Sequence, residues 1–204
     1  MPGLIIAWYD TWYLYPLHTS LNVHLSAFFS LQRFCRYVMG KPSLMLDQDQ
    51  CDLMKHYFMV HQQSDGGWGT HIESPSTMFG TVMCYVALRL LGTDPNVPFM
   101  QRGRSFIQNE GGAIMTSSWA KFWLCLLGCM SWDGHNSVPP EMWLLPNYFP
   151  FHPSRLWCHC RMVYLPMGYL YGVRFVYDQA SVDPIILALR KEVRKNEALQ
   201  FEFY

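Results

Sequence analysis

The side chains of this sequence best suited to chemistry follow one another at Trp157, Cys158, His159 and Cys160. Cysteine and histidine are zinc ligands, but neighbouring residues of a helix point in different directions, and no second Cys/His pair follows at the spacing of a zinc finger. The pattern therefore does not indicate a metal site. Two interpretations remain open, a set of ordinary core residues and the wall of an apolar pocket.

A helix through this block would gather three of its side chains on one face. Cys160 follows Trp157 by three residues and precedes Tyr164 by four, which is the spacing of neighbours along a helix surface. His159 would lie about two-thirds of a turn around the helix from Trp157. A pocket wall at this helix would therefore be lined by Trp157, Cys160 and Tyr164.

A second pattern consists of Gln62, Gly66 and Trp68, with the spacing Gln-x3-Gly-x-Trp. A glutamine at the end of one helix can satisfy orphan backbone groups of a neighbouring helix, and an indole packed on its amide would seal that junction. The glycine permits a tight turn. We interpret these three residues as structural. A similar segment with Gln108 and Gly112 follows 46 residues later, which leaves open whether the chain contains a true repeat.

Hydrophobic spacing and capping signals predict six helices, over residues 47–63, 76–91, 99–108, 115–130, 154–171 and from 184 onward. Asp47, Ser76 and Asp183 are expected to cap the first, second and last of them. Gly92 is placed to end the second helix, and Pro166 should bend the fifth. No alternating strand pattern follows residue 46, so the predicted fold class is all-α, built from helix pairs.

Charge in this sequence is balanced and sparse, with 15 basic and 15 acidic side chains that together make up 15% of the residues. Without a basic stripe, a nucleic-acid partner is not expected. The aromatic share of 16% indicates either a large core or buried subunit face, or else a pocket lined by rings. The seven cysteines are odd in number and lack framework spacing, which favours reduced thiols in a cytosol-facing protein.

The relation of the chain to a membrane is constrained by two further patterns. No apolar run approaches the ~18–20 residues of a spanning helix, and the first residues lack the basic region of a signal peptide. Low charge without a spanning helix is compatible with a monotopic protein, in which one apolar patch enters one leaflet.

The Gln-x3-Gly-x-Trp pattern resembles the QW motif of the triterpene cyclases, the family of oxidosqualene and squalene-hopene cyclases. Residues 118–123, 140–144 and 152–167 are similar to eukaryotic oxidosqualene cyclases and resemble the plant enzymes in particular. The resemblance covers about residues 46–195 and a short stretch at 1–7. It implies part of an (α/α) barrel of the squalene cyclase type. It also implies a cofactor-free enzyme that cyclises 2,3-oxidosqualene through carbocations, in monotopic contact with the cytosolic face of the endoplasmic reticulum or a lipid droplet.

The same resemblance implies roles for individual residues. Trp119 and Trp157 match aromatic positions that face the substrate cavity, and His159 matches a histidine near the site of final deprotonation. Cys160 and Tyr164 match the constriction of the substrate channel. These residue types suit the chemistry, because aromatic faces stabilise a migrating cation without reacting with it, at ~0.5–2 kcal/mol each. A histidine can orient or accept the last proton.

The sequence departs from the family in its acid. The family protonates the epoxide with an aspartate in an Asp-Cys-Thr-Ala-Glu motif, which does not occur here, and the segment at residues 49–52 does not match it. The chain is therefore expected to represent part of the N-terminal barrel and to be inactive in isolation. Two other functions stay open, an α-helical module that binds an isoprenoid or a partner, and a non-functional gene remnant.

The segment organisation follows the resemblance. Residues 1–45 begin like the family at 1–7 and then depart from it, either through an unspliced or wrongly assigned coding segment or through a genuine insertion. Residues 46–195 form the predicted partial barrel. Residues 196–204 form a tail that also departs from the family.

Overall fold

The computed structural model describes residues 34–35, 37–38, 48–69, 74–156 and 158–194. Within these ranges six α-helices have defined bounds: α1 (Gln48–Val60), α2 (Met78–Leu90), α3 (Pro98–Asn109), α4 (Ser118–Leu127), α5 (Cys158–Gly172) and α6 (Pro184–Glu192). Short 3-10 helices lie at Ala113–Met115, Trp132–Gly134, Pro140–Leu144 and Pro153–Arg155. The described part of the chain contains no strand beyond one isolated bridge between Gly69 and Ser76, so the all-α prediction is confirmed.

Helix α2 lies at the centre of the core. Its residues are buried continuously from Gly80 to Leu90, and it packs against α1, α3, α4 and α6. A helix that is apolar nearly all round requires neighbours on every side, which explains this position. The sequence of α2 therefore determines which element the others surround.

The start of α2 corrects one prediction, because Thr77 and not Ser76 is the capping residue. The Thr77 hydroxyl accepts a hydrogen bond from the Gly80 N–H at 3.1 Å, whereas the Ser76 hydroxyl donates to the Asp65 carboxylate at 2.6 Å. Ser76 and Thr77 both carry a hydroxyl that could cap the helix, so the local sequence does not distinguish them. The hydrogen bond of Ser76 to Asp65 leaves Thr77 as the cap. The predicted end is confirmed, since Gly92 adopts a φ of +81° directly after α2 closes.

Helix α1 is shorter than predicted, since it ends at Val60 and leaves Gln62 in the following turn. Met54 and Phe58 of the predicted apolar stripe are buried, and Cys51 is half-buried. Asp47, the predicted cap, lies outside the described residues.

Helices α4 and α5 are also shorter than predicted. The segment Ala113–Met115 forms a separate 3-10 turn, so α4 begins at Ser118; it ends at Leu127 and is followed by Gly128, which has a φ of +76°. Another 3-10 turn, Pro153–Arg155, precedes α5, which contains Pro166 as predicted. Across the described residues, every helix falls short of the length and apolarity that a membrane span requires.

Helix α6 matches its prediction and closes the described core. The Asp183 carboxylate accepts from the Ile185 N–H at 2.9 Å, with Pro184 in the first turn. Arg190 in its last turn donates to the Gly128 carbonyl at the end of α4, at 2.7 Å. Helix α3, at Pro98–Asn109, also agrees with its predicted range to within one residue at each end.

Part of the segment predicted to be atypical packs into this core. Phe34 and Cys35 are helical and buried, and the Phe34 ring lies 6.1 Å from that of Trp123 on α4. The Tyr37 hydroxyl donates to the Asp183 carboxylate at 2.5 Å. The described residues of this segment therefore contribute to the same hydrophobic core as α4 and to the start of α6.

Candidate functional site

The turn at residues 62–68, called the QW turn below, is tied to α3 by Gln62. The Gln62 amide donates to the Gly66 carbonyl at 2.8 Å and to the Phe99 carbonyl, in the first turn of α3, at 2.7 Å. Its oxygen accepts from the Arg102 guanidinium at 2.9 Å. One glutamine side chain thus joins the turn after α1 to the beginning of α3.

Trp68 adds a second connection and corrects the predicted role of Gln62. The side chain is 2% exposed, and its indole N–H donates to the Phe58 carbonyl at 2.8 Å. That carbonyl is one of the last four of α1, which lack a partner within the helix. Orphan groups at the start of α3 are N–H groups, so the Phe99 carbonyl is not among them. Trp68, and not Gln62, satisfies the orphan group.

The ring of Trp68 also explains two of the glycines. A Cβ on Gly103 of α3 would lie 2.8 Å from the Trp68 ring, so the indole lies directly on the α3 backbone. Gly66 has a φ of +90°, a conformation that other residues rarely adopt. The close packing of α1, the QW turn and α3 therefore depends on glycine at positions 66 and 103.

The later segment with Gln108 reproduces only part of this arrangement. Gly112 has a φ of +85°, comparable to Gly66, and the Gln108 amide donates to the Glu192 carbonyl of α6 at 3.3 Å. The position equivalent to Trp68 is Ile114, which is 45% exposed. The repeat therefore stays a prediction.

Five residues were predicted to line a cavity and its channel, and the structure describes the side chains of two. Trp157 and the side chains of His159 and Cys160 lie outside the described residues. Trp119 is half-buried in the first turn of α4. Tyr164 is half-buried on α5 and packs against the core. The assignment of these residues to a cavity stays a prediction.

Aromatic rings join α4 to α5 around Trp119. The Trp119 ring stacks on Phe122 at 6.5 Å, and Phe122 lies 5.6 Å from Trp132 and 6.0 Å from His135. Trp132 and His135 in turn contact Tyr171 of α5, at 5.8 and 5.9 Å. We refer to these five residues as the α4–α5 cluster. It connects the two helices on which Trp119 and Tyr164 lie.

His135 was not singled out from the sequence. Its Nε2–H donates to the Ser118 carbonyl at 3.0 Å, because a carbonyl can only accept, and its buried Nδ1 has no hydrogen-bond partner among the described residues. Burial lowers the pKa of His135, the cations of Lys121 and Arg174 act in the same direction, and the backbone of Asn136 and Ser118 opposes them. A single histidine in a loop offers no spacing signal, so only its packing reveals it.

Burial also acts on two cysteine thiols, those of Cys125 on α4 and of Cys129 just after it. Burial raises the pKa of Cys125 and of Cys129 to about 12. Because the thiolate is the reactive form, both groups remain inert thiols. Ring faces can stabilise a cation without reacting with it, and a thiol that stays protonated is a weaker nucleophile than a thiolate.

An open pocket of about 630 Å³ lies elsewhere, beside the QW turn. Asp65 and Arg102 are among its lining residues, and none of its lining belongs to the α4–α5 cluster. It is an open surface groove with both polar and apolar lining, and not an enclosed cavity.

Comparisons with known proteins agree with these features. Residues 35–202 match the squalene-hopene cyclase N-terminal domain, so the match begins inside the segment predicted to be atypical. The chain is 51% identical to the lanosterol synthase of Mus musculus over 140 residues, 69% of this chain and 19% of that protein. For the lanosterol synthase of Homo sapiens the identity is 51% over 67% of this chain and 18% of the relative. The chain is 42% identical to the cycloartenol synthase of Dictyostelium discoideum, over 72% of this chain and 20% of that protein. The chain spans about a fifth of the length of these relatives.

Proposed function

Because the chain belongs to the squalene-hopene cyclase family, whose N-terminal domain is an α/α toroid, we propose that it forms part of the N-terminal barrel of an oxidosqualene cyclase. Such an enzyme cyclises 2,3-oxidosqualene through carbocation intermediates to a triterpene or sterol precursor. The observation that carries this proposal is the 51% identity to two lanosterol synthases. The ring contacts between α4 and α5 support it, since they include Trp119, a residue proposed to face the substrate.

The proposed division of labour follows the chemistry of the reaction. Trp119 and Trp157 present ring faces to the migrating cation, and His159 orients or accepts the proton that leaves at the end. Cys160 and Tyr164 narrow the entrance. The position of Trp119 in the α4–α5 cluster and of Tyr164 on α5 is compatible with these roles. Gln62, Gly66 and Trp68 act as the scaffold that joins α1 to α3.

The step that starts the reaction is assigned to residues outside this sequence. An acid must donate a proton to the epoxide oxygen, so that the C–O bond breaks and an alkene attacks the resulting cation. The Asp-Cys-Thr-Ala-Glu motif that supplies this acid in the family does not occur in the 204 residues. We therefore propose that the chain alone does not cyclise the substrate.

The expected result with purified chain and 2,3-oxidosqualene is that the substrate remains unchanged. A chimera tests the positive half of the proposal: residues 35–194 replace the aligned segment of a lanosterol synthase, and products are identified by gas chromatography and mass spectrometry. The chimera should form cyclised product, and Trp157→Ala in it should alter the product mixture. A folded chimera without activity, or turnover by the isolated chain, would contradict the proposal. Binding of squalene without activity in the chimera would favour the isoprenoid-binding module.

We further propose a monotopic contact with the cytosolic leaflet of the endoplasmic reticulum or with a lipid droplet. Large apolar side chains are exposed on and just before α5: Leu144 is 84%, Tyr148 80%, Phe151 72% and Leu165 55% exposed. Several large apolar side chains exposed within one stretch of the chain are candidates for an interaction site. Aromatic residues at such a surface suit the lipid interface.

Vesicle flotation tests this membrane surface. Phe151→Asp combined with Leu165→Asp should weaken binding to phosphatidylcholine vesicles at least tenfold, because each apolar side chain contributes about 1.5–3 kcal/mol when it is fully buried. Leu53→Asp is the matched control, since Leu53 is 68% exposed on α1, and it should leave binding unchanged. Equal loss in both variants would assign the effect to general solubility and contradict the proposal.

A further inference from the structure

Two neighbouring residues hold Ser118 by its backbone and by its side chain. The His135 ring donates to the Ser118 carbonyl at 3.0 Å, and the Asn136 amide donates to the Ser118 hydroxyl at 2.6 Å. Ser118 is the first residue of α4 and directly precedes Trp119. The N-cap residue Ser117 contributes no side-chain hydrogen bond to this end of the helix. The two hydrogen bonds to Ser118 thus anchor the first turn of α4 to the loop that carries His135 and Asn136.

A second contact reaches Trp119 through a ring. His135 lies 6.0 Å from Phe122, and Phe122 stacks on Trp119 with an interplanar angle of 18°. His135 is therefore coupled to Trp119 both through the Ser118 backbone and through Phe122.

We propose that His135 and Asn136 form a clamp on Ser118 that positions the Trp119 ring, and that protonation of His135 shifts this clamp. The purpose of this clamp rests on the proposed function, in which Trp119 faces a carbocation. The stabilisation of a cation by a ring requires the cation to lie over the ring face within about 6 Å of its centre. A positioning residue can therefore govern which carbon of the substrate is stabilised without touching it.

The charges around His135 make the clamp sensitive to protons. Lys121 faces it from α4, and Arg174 faces it from the turn after α5, where its guanidinium lies 4.4 Å over the Tyr171 ring. The carboxylate on its own 3-10 turn, Asp133, accepts from Ser131 at 3.2 Å. An imidazolium would meet two cations and would carry a new proton on the buried Nδ1. Protonation leaves the Nε2–H bond to the Ser118 carbonyl in place but adds a charge and a proton on Nδ1, so the imidazole and the Ser118 backbone should shift together.

The direction of the pH effect follows from the burial of His135. Burial lowers the pKa of His135 below its ordinary value of about 6.5, so the ring is neutral at pH 7. A group with a lowered basic pKa binds its proton more readily when unfolded. Part of the folding stability is therefore present above about pH 6.5 and is lost as the pH falls through the lowered value.

The test is a pH titration of the chain labelled with ¹⁵N-tryptophan, followed by the indole N–H resonances from pH 7.5 to 5. The Trp119 resonance is assigned by its disappearance in Trp119→Phe. It should shift with the same pH midpoint as the resonance of Trp132, whose ring lies 5.7 Å from His135. The Trp68 resonance should not shift, since its indole N–H donates to the Phe58 carbonyl of α1. A static Trp119 while Trp132 titrates would overturn the proposal.

His135→Gln provides the conservative replacement. The amide nitrogen of glutamine reaches the position of Nε2, so it can donate to the Ser118 carbonyl but cannot titrate. In this variant the Trp119 resonance should keep its wild-type position at pH 7.5 and lose its pH dependence. Persistence of the Trp119 titration in His135→Gln would also overturn the proposal.

A second arm does not depend on titration. Ser118→Ala and Asn136→Ala each remove the 2.6 Å hydrogen bond and should displace the Trp119 resonance at pH 7.5 while Trp68 stays unchanged. Ser137→Ala is the control, because Ser137 is exposed on the same loop. If Ser118→Ala and Asn136→Ala leave the Trp119 resonance where this control leaves it, the clamp does not position Trp119. Neither arm requires cyclisation, so their failure is distinct from failure of the chimera.

Discussion

Replacement of Trp68 by alanine is expected to destabilise the fold by about 3–5 kcal/mol, because it leaves a cavity where a buried ring packed. The side chain is 2% exposed and lies against the backbone of Gly103 on α3. The same change removes the indole hydrogen bond to the Phe58 carbonyl. For a chain of this length the midpoint of thermal unfolding should fall by about 6–20 °C. Urea unfolding monitored by circular dichroism measures the free energy.

Trp68→Phe separates the two contributions of this residue. Phenylalanine keeps most of the packing but cannot donate a hydrogen bond, so the Phe58 carbonyl loses its side-chain partner. An unsatisfied buried acceptor costs about 1–3 kcal/mol, which should be the main effect of this variant. A loss below about 1 kcal/mol for Trp68→Ala would show that the QW turn does not hold α1 against α3.

Replacement of Arg89 by alanine should be comparably severe, at about 3–5 kcal/mol, because it leaves a buried carboxylate without its counter-charge. The Arg89 guanidinium donates to both oxygens of Glu192, at 2.9 and 3.1 Å. The two side chains are 10% and 9% exposed. The Tyr85 hydroxyl donates to the same carboxylate at 2.8 Å and cannot neutralise it. Urea unfolding at pH 7.5 checks this value.

The matched variant removes both charges. Arg89→Met combined with Glu192→Leu should recover most of the lost stability, since exchange of a whole buried ion pair for apolar residues is often neutral. Tyr85→Phe added to this variant removes the remaining hydroxyl. If the double variant costs the sum of its two single changes, the two residues are not coupled and the attachment of α6 to α2 has another origin.

The site was predictable in part. The resemblance named Trp119, Trp157, His159, Cys160 and Tyr164, and the structure places Trp119 and Tyr164 on the two helices that the α4–α5 cluster joins. His135 and its hold on Ser118 could not be predicted. Its partners lie 17 and 36 residues away along the chain, at Ser118 and Tyr171, and no local pattern brings them together.

The sequence by itself determined those features that depend on a few consecutive residues. The Asp183-Pro184 start of α6 is one, because a carboxylate caps the N–H two residues later. The left-handed Gly92 after α2 is another, because the absence of a Cβ is a property of that residue alone. The all-α class follows in the same way from periodic spacing within each segment.

The tertiary structure alone decided which groups meet across the chain. The hydrogen bond of Ser76 to the distant Asp65 leaves Thr77 as the cap of α2, and the packing of the helices places the Trp68 indole N–H against the Phe58 carbonyl. The tertiary structure also paired Arg89 with Glu192 across 103 residues. The physical reason is that caps and turns are satisfied within about four residues, whereas a buried polar group takes whichever partner the packing of other helices brings within hydrogen-bond distance.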